Sequence, residues 1–168
     1  MFARLLPVLV AAMLVTACSG SDSSKASGSG AAGAGGAGGA GSVRPGSQED
    51  LAANVGDRVF FDTDRSTLAG TSQMSQGNTV TLDRQVAWLK QYPQNMIQIA
   101  GNCDERGTTE YNLALSQRRA YAVQNYMVAK GVAQSRINTI SYGKERPTAP
   151  GSDENAWAQN RNAITSVR

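Results

Sequence analysis

Residues 95–131, "NMIQIAGNCDERGTTEYNLALSQRRAYAVQNYMVAKG", contain the signals that decide the fold. The opening letters, "NMIQIAG", place Ile97 and Ile99 on one face and alternate as a half-buried strand does. From about Thr109 onward, apolar residues recur every three or four positions until Gly131, which is typical of a long amphipathic helix with a glycine just past its end. The stretch therefore predicts a strand, a polar loop and a long helix.

Two further helices flank this unit. In "TLDRQVAWLKQY" (81–92) the apolar residues again have helical spacing, with Asn78 and Thr79 as capping candidates and Pro93 as the stop signal. A shorter helix is expected around 155–159.

Three further segments have the apolar character and polar boundaries of strands: "DRVFFD" (57–62), "RINTISYG" (136–143) and "RNAITSVR" (161–168). The expected order is β-α-β-α-β-β, with the short helix between the last two strands. This order predicts an α+β domain, a mixed four-stranded sheet with helices packed on one face.

The N-terminal stretch "MFARLLPVLVAAMLVTAC" has the pattern of a secretory signal peptide, residues 1–17. Its apolar run is too short to span a bilayer. The ending "LVTAC" resembles a bacterial lipobox, which implies that Cys18 is acylated and anchors the chain. The alternative is an ordinary signal peptide with Cys18 left as a free thiol. Ser19, rather than an aspartate after the cysteine, indicates sorting to the outer membrane.

The stretch 18–50 is dominated by glycine, alanine and serine, so it has little apolar surface to bury. Such a composition predicts a flexible tether. The folded domain is expected at 51–168.

Composition excludes several functional classes. The chain of 168 residues has a formal net charge of only +3 with scattered basic residues, so nucleic acid is not an expected partner. It has no histidine, which removes the commonest general base and a common metal ligand. We expect no catalytic residue, no metal and no cofactor.

Arg119 and Asp104 are the candidate binding residues. Arg119 shares a helical stripe with Leu115 and Val123, so it points toward apolar surroundings and needs an anionic partner. Asp104 follows the end of a strand, where such sheets place binding groups. Periodicity alone leaves two possibilities: the two residues pair with each other, or both face one ligand.

Several segments together resemble the OmpA-like peptidoglycan-binding domain family: "FFDTDRSTL" (60–68), "GNCDERGTTEYNLALSQRRAYAV" (101–123), "RINTISYGKERP" (136–147) and "NRNA" (160–163). The resemblance covers the whole chain after the tether. It implies a non-catalytic domain that holds the meso-diaminopimelate side group of uncrosslinked peptide stems in the cell wall.

The resemblance also implies which residues bind. Asp104 and Arg119 match the aspartate and arginine of the family's ligand site, while Asn112, Asp62 and Asp64 fall where supporting contacts lie. The free end of diaminopimelate carries an ammonium group and a carboxylate, so an aspartate and an arginine fork suit it chemically.

The chain departs from the family pattern at several positions. Asn102 stands where a histidine is usual, and we expect it to replace a structural hydrogen bond. Cys103 is expected to be a small buried hydrophobe, since no histidine is present to activate it as a nucleophile or redox centre. Asn162 stands where a second arginine is usual. The stretch 69–81 is longer than usual, and the sequence assigns it no role.

Three functional hypotheses follow. The first is a lipid-anchored tether between the outer membrane and the cell wall, with its domain facing the periplasm. The second is a protein-interaction module, because in lipid-anchored members of the family a TolB-type periplasmic propeller protein binds an overlapping surface. The third is a wall hydrolase using Asp104 and Glu105, which is disfavoured because adjacent loop residues rarely flank one bond.

Overall fold

The structure is a computed structural model, and it describes residues 43–168. The predicted signal peptide 1–17, the lipidation site Cys18 and most of the predicted tether lie outside the described residues. The described part contains four strands and four α-helices: α1 (Gln48–Asp50), β1 (Arg58–Phe60), α2 (Asn78–Gln91), β2 (Ile97–Gly101), α3 (Thr109–Ala129), β3 (Ile137–Ser141), α4 (Glu154–Asn160) and β4 (Asn162–Val167). The α+β class is thereby confirmed.

The four strands form one mixed sheet in the order β1-β4-β2-β3. Strand β2 pairs in parallel with β3 and antiparallel with β4, and β4 pairs antiparallel with the edge strand β1. One row across the sheet joins Arg58, Ile164, Ala100 and Ile140, one residue from each strand. The long crossover through α3 connects the parallel pair, as parallel strands require.

The core lies between the sheet and the helices α2 and α3. As predicted, Ile97 and Ile99 are both fully buried, whereas the intervening Gln98 is only partly buried. The other inward-facing residues come from the other three strands, from α2 and α3 and from the adjoining segments: Leu51, Val59, Phe61, Leu82, Val86, Trp88, Leu89, Ala120, Val123, Met127, Val132, Ile137 and Ala163. This core fixes the strand ends that build the site described below.

Helix α3 runs from Thr109 to Ala129, as its apolar period predicts. The Thr108 side chain caps it by accepting a hydrogen bond from the amide of Tyr111, and Gly131 follows with a φ of 94°. The expectation that Asn78 caps α2 is wrong. Asn78 is the first residue of the helix, and its buried amide instead bonds both backbone groups of Phe60.

The folded domain begins earlier than the predicted boundary at residue 51. Ser47 caps α1 by accepting a hydrogen bond from Asp50, and the Asp50 carboxylate in turn accepts from the indole nitrogen of Trp88 at 2.8 Å. Asn95 also donates to the carbonyl of Gly46 at 2.8 Å. These contacts tie residues 46–50 to the core, so the last part of the predicted tether belongs to the domain.

No helix within residues 43–168 has both the length and the apolar character needed to cross a bilayer. In the same part of the chain, no three acidic, cysteine or histidine side chains cluster as metal ligands would.

Candidate functional site

A cleft of about 330 Å³ opens at the carboxyl end of β2. Its walls come from the loop after β1, the loop between β2 and α3, the N-terminal half of α3 and Arg161, which directly precedes β4. Five charged side chains line it: Asp64, Asp104, Arg106, Arg119 and Arg161. The cleft therefore brings two carboxylates and three guanidinium groups together.

Arg119 lies at the base of this cleft and is 1% exposed, so the prediction that it points inward is confirmed. Its Nε donates to the carbonyl of Arg65 at 2.9 Å, and its Nη2 donates to the carbonyl of Asp62 at 3.2 Å. Its Nη1 donates to the carbonyl of Asn102 at 2.8 Å and to the Cys103 thiol at 3.2 Å. Four donor interactions are thus directed to two loops of the protein.

Arg119 and Asp104 do not form an ion pair, so the possibility that they pair with each other is wrong. The guanidinium of Arg119 meets backbone carbonyls rather than a carboxylate, and its charge also lies 5.2 Å above the ring of Phe61. Because an arginine has five N–H donors and most are already used, Arg119 offers no free fork in this conformation. It supplies positive charge at the base of the cleft and holds the two loops together.

Asp104 is engaged by two other arginines. Its carboxylate accepts from Arg106 Nη2 at 2.7 Å and Nε at 3.2 Å, and from Arg161 Nη1 at 3.3 Å. Burial alone would raise the pKa of Asp104, but the hydrogen bonds from Arg106 and Arg161 outweigh burial and lower it. Asp104 is therefore ionised at neutral pH.

The two arginines on Asp104 differ in their freedom to move. Arg161 is 5% exposed, and it also donates to the carbonyl of Phe61 and to Glu154. The side chain of Arg106 is 39% exposed and stacks on the Trp157 ring at 4.3 Å. Arg161 is thus a fixed part of the wall, whereas Arg106 covers the carboxylate from the solvent side.

Asp64 presents the second carboxylate of the cleft. It has a φ of 56°, the only positive value at a described residue other than glycine. Its Oδ1 accepts a hydrogen bond from the Tyr111 hydroxyl at 3.2 Å. A strained backbone that places a carboxylate in a cleft is a common feature of binding sites.

Asp62, which was expected among the supporting residues, does not line the cleft. The carboxylate accepts from the amide and hydroxyl of Thr71, the amide of Ser72 and the hydroxyl of Ser75. Hydrogen bonds from Ser72 and Thr71 lower the pKa of Asp62 far below its usual range. These hydrogen bonds hold the long stretch 69–81 in place at Thr71, Ser72 and Ser75, and the stretch ends in the first turn of α2.

Asn112 and Cys103 line the cleft as supporting residues. Asn112 is buried and donates to the carbonyl of Arg106 at 2.7 Å, which fixes the loop that carries Asp104. Cys103 is 3% exposed, and burial raises the pKa of its thiol. Cys103 is therefore a buried, protonated small side chain, as expected from the sequence.

Asn102 and Asn162, the two asparagines that depart from the family pattern, contact each other. The Asn102 side chain donates to Asn162 Oδ1 at 2.8 Å, and Asn162 donates onward to Thr148 and to the carbonyl of Gln159. The structural hydrogen bond expected of Asn102 is therefore present. Asn102 Oδ1 is buried with no hydrogen-bond partner among the described residues.

Among the cleft residues that the sequence did not predict, three have polar side chains that bond its carboxylates: Arg106, Arg161 and Tyr111. Tyr111 belongs to the first turn of α3 and faces back toward the loop after β1, as helical side chains point toward the N-terminus. Arg106 was within the quoted motif, two residues from Asp104, and that spacing could have suggested an Asx-type contact. The pairing of Arg161 with Asp104 depends on tertiary placement, for which the sequence has no local signal.

Comparison with known proteins gives consistent matches. The model of the OmpA family matches residues 60–161. The peptidoglycan-associated lipoprotein of Mesorhizobium japonicum is 48% identical over 161 residues, which cover 96% of this chain and 91% of that relative. The peptidoglycan-associated lipoprotein of Rhizobium meliloti is 49% identical over 159 residues, which cover 95% of this chain and 86% of the relative.

Solved structures agree with these matches. The crystal structure of the peptidoglycan-associated lipoprotein from Burkholderia pseudomallei has a TM-score of 0.62 and 38% identity, and it covers 71% of this chain and 100% of that chain. The C-terminal domain of Helicobacter pylori MotB has a TM-score of 0.56 at 20% identity, covering 67% of this chain and 84% of that chain. The latter likeness shows a shared fold alone.

Proposed function

The chain belongs to the OmpA family, within the group of peptidoglycan-associated lipoproteins, and we propose that its cleft binds the meso-diaminopimelate side group of uncrosslinked peptide stems. It is a cell-envelope lipoprotein with a peptidoglycan-binding domain, and it is not an enzyme. The finer proposal rests on one observation: a single cleft at the end of β2 holds two carboxylates beside three guanidinium groups.

The charges of the cleft suit a zwitterion. A ligand carboxylate is attracted by the three guanidinium groups, whose summed charge exceeds that of Asp64 and Asp104 by one unit. A ligand ammonium group needs a carboxylate, and Asp64 is the more available one because its recorded partner is the neutral hydroxyl of Tyr111. Asp104 also pairs with the ligand ammonium group once the Arg106 side chain moves aside toward solvent.

The geometry opposes the hydrolase alternative. Glu105 accepts from the indole nitrogen of Trp157 at 3.1 Å, outside the residues that line the cleft. Asp104 has a lowered pKa between two arginines, whereas a general acid needs a raised pKa. The pair therefore lacks both the placement and the protonation of a glycosidase dyad.

The same proposal places the protein in the outer membrane with its domain in the periplasm. Acylated Cys18 is the anchor, residues 1–17 are the signal peptide, and the glycine-rich stretch up to residue 42 is the tether to the cell wall. We assign the protein to the Tol-Pal system, in envelope integrity and cell division, with a TolB-type propeller protein as second partner. A partner that overlaps the cleft binds in alternation with the cell wall.

Co-sedimentation of the full chain with purified sacculi tests the ligand. Added meso-diaminopimelate should release the protein, whereas pimelate, which lacks both ammonium groups, and cadaverine, which lacks both carboxylates, should not. Asp64→Asn and Asp104→Asn should each weaken sacculus binding by about tenfold or more, since each leaves a ligand charge unpaired.

Asp83→Asn is the matched control, because Asp83 is an exposed aspartate of α2 whose partners Tyr126 and Lys130 lie outside the cleft. It should bind sacculi as the parent chain does. If pimelate released the protein from sacculi as well as diaminopimelate does, the cleft would be a general anion site. Unchanged binding by folded Asp64→Asn and Asp104→Asn chains would remove the assignment.

A further inference from the structure

The sheet has a second face that neither long helix covers. Helices α2 and α3 pack on the face that carries Val59, Ile97 and Ala163, so the alternate residues of each strand point the other way. We call this opposite side the outer face. Its apolar residues are partly buried but do not belong to the core cluster: Phe60, Ala100, Ile140 and Ile164.

A groove of about 530 Å³ runs over the outer face. Its floor contains Ala100 and Ile164, which are neighbours on paired strands. Arg58 lies on one side of the floor, and Tyr142 and Arg146 lie on the other. The small side chain of Ala100 makes the centre of the floor low, so an apolar side chain can enter from above.

The groove is positively charged. None of its lining residues is an aspartate or a glutamate. Arg146 stacks on the ring of Tyr142 at 4.1 Å, and it forms no ion pair with a carboxylate among the described residues. Among the described residues Arg58 forms one ion pair, with its neighbour Asp57 at 3.5 Å, and the Arg58 side chain is 44% exposed. An ion pair that solvent reaches contributes little to stability. Both guanidinium groups are available to an acidic partner.

We propose that the outer face is a docking surface for an amphipathic helix of a partner protein that carries acidic residues along both sides of its apolar stripe. The long helices of this α+β domain pack on one face of its sheet, so among the described residues the outer face has no helix over it and is open to a partner. Four strands at about 4.8 Å spacing make a floor about 14 Å wide, which accommodates one helix of about 10 Å diameter.

Charge and pairing select this occupant over the alternatives. An added β-strand cannot pair within the groove, because β4 and β2 beneath it are already hydrogen-bonded on both sides. A second copy of this chain would bring Arg58 and Arg146 against like charges unless its acidic loops faced them. The helix proposal is independent of wall binding, since Arg58, Ala100 and Arg146 do not line the cleft.

The probe is a fluorescein-labelled synthetic helix of about 18 residues, with leucine on one face and glutamate on its flanks, titrated against the full chain in detergent by fluorescence anisotropy. A matched peptide has lysine in place of each glutamate. The glutamate peptide should bind, and the lysine peptide should bind at least about tenfold more weakly. Protein-free micelles give the same background for every variant.

Three variants locate the binding. Arg58→Glu combined with Arg146→Glu should weaken the glutamate peptide about tenfold or more, and Arg146→Glu alone, at an exposed loop position, should weaken it in the same direction. Ala100→Gln should weaken it without changing charge, by filling the floor of the groove. Arg84→Glu is the control, because Arg84 is an exposed arginine of α2 on the opposite side of the sheet.

All variants should keep sacculus binding, which shows that they fold. The proposal is overturned if both peptides bind equally, if Arg84→Glu weakens binding as much as the outer-face variants, or if those variants bind as the parent does. Concentration-dependent dimerisation in sedimentation velocity that disappears in the double variant would assign the face to a second copy and also overturn the proposal.

Discussion

Replacing Arg119 with lysine should destabilise the domain even though the charge is kept. Arg119 reaches the carbonyls of Arg65 and Asp62 on one loop and of Asn102 on another, from three different nitrogen atoms. A lysine has one nitrogen at the end of its chain, so it cannot serve both loops. At least one buried carbonyl loses a charged donor.

The magnitude follows from the number of bonds lost. Each hydrogen bond from a charged donor to a buried acceptor contributes about 1.5–3 kcal/mol, so losing one or two gives a decrease of about 1.5–6 kcal/mol in the free energy of unfolding. For a domain of this size about 4 °C accompanies each kcal/mol, and the melting temperature should fall by about 6–24 °C. Sacculus binding should weaken as well, because both loops that line the cleft shift.

Urea unfolding followed by circular dichroism measures this change, with Arg118→Lys as the matched control. Arg118 is the neighbouring arginine of the same helix, is exposed, and should change the unfolding free energy by no more than about 0.5 kcal/mol. If Arg119→Lys were no less stable than Arg118→Lys, while losing sacculus binding, Arg119 would contact the ligand directly and the loop-holding role would be refuted.

Other variants test separate parts of the structure. Gly101→Ala should lower the free energy of unfolding, measured with heat or urea, by about 3 kcal/mol or more, because the added Cβ would collide with the carbonyl of Ser116. Gly77→Ala should be nearly neutral, because the space around Gly77 is open. The pKa of Asp62 is lowered in the folded state, so its contribution to folding stability is complete above its unfolded pKa of 3.8 and is lost as the pH falls below that value. Asp62→Asn should therefore flatten the decline of stability between about pH 4 and 2. An unchanged acid profile would contradict the loop contacts. Cys18→Ala should remove the protein from the outer-membrane fraction of cells lacking the natural copy, and retention there would contradict the anchor.

The fold was predictable because local patterns agree with tertiary structure. The alternation around Ile97 and Ile99 and the period between Thr109 and Gly131 both arise from burial against one core. Asn78 shows the limit of such patterns. An asparagine before a helix is a common cap, but here its amide is drawn to the backbone of Phe60, a residue that only the folded sheet brings near.

The site was harder to predict than the fold because charge pairing depends on three-dimensional placement. The sequence identifies Asp104 and Arg119 as candidates that either pair with each other or face one ligand. In the structure the carboxylate of Asp104 accepts a hydrogen bond from Arg161, which lies 57 positions later in the chain. Asp62 likewise has the residue type of a ligand group, but Thr71 and Ser75 supply nearer donors. The residue types in the sequence show which side chains could bind a ligand. Which carboxylate remains available for a ligand depends on the hydrogen-bond donors that the fold places beside each one.

Competition among these donors also indicates how the cleft discriminates among ligands. Arg119 and Arg161 are buried and held in place by backbone carbonyls, so a ligand carboxylate meets two guanidinium groups that need not rearrange. Arg106 is the partly exposed arginine that pairs with Asp104. If Arg106 moves away, only a cation on the ligand can take its place beside the Asp104 carboxylate. A ligand with only a carboxylate is attracted by the buried arginines but has no cation for the carboxylates of the cleft. A ligand with only an ammonium group meets a cleft whose net charge is positive. Under the proposed function, both charges on one ligand are needed for full affinity. An amidated diaminopimelate side group keeps the ammonium but loses the carboxylate charge, so it should bind less tightly than the free acid.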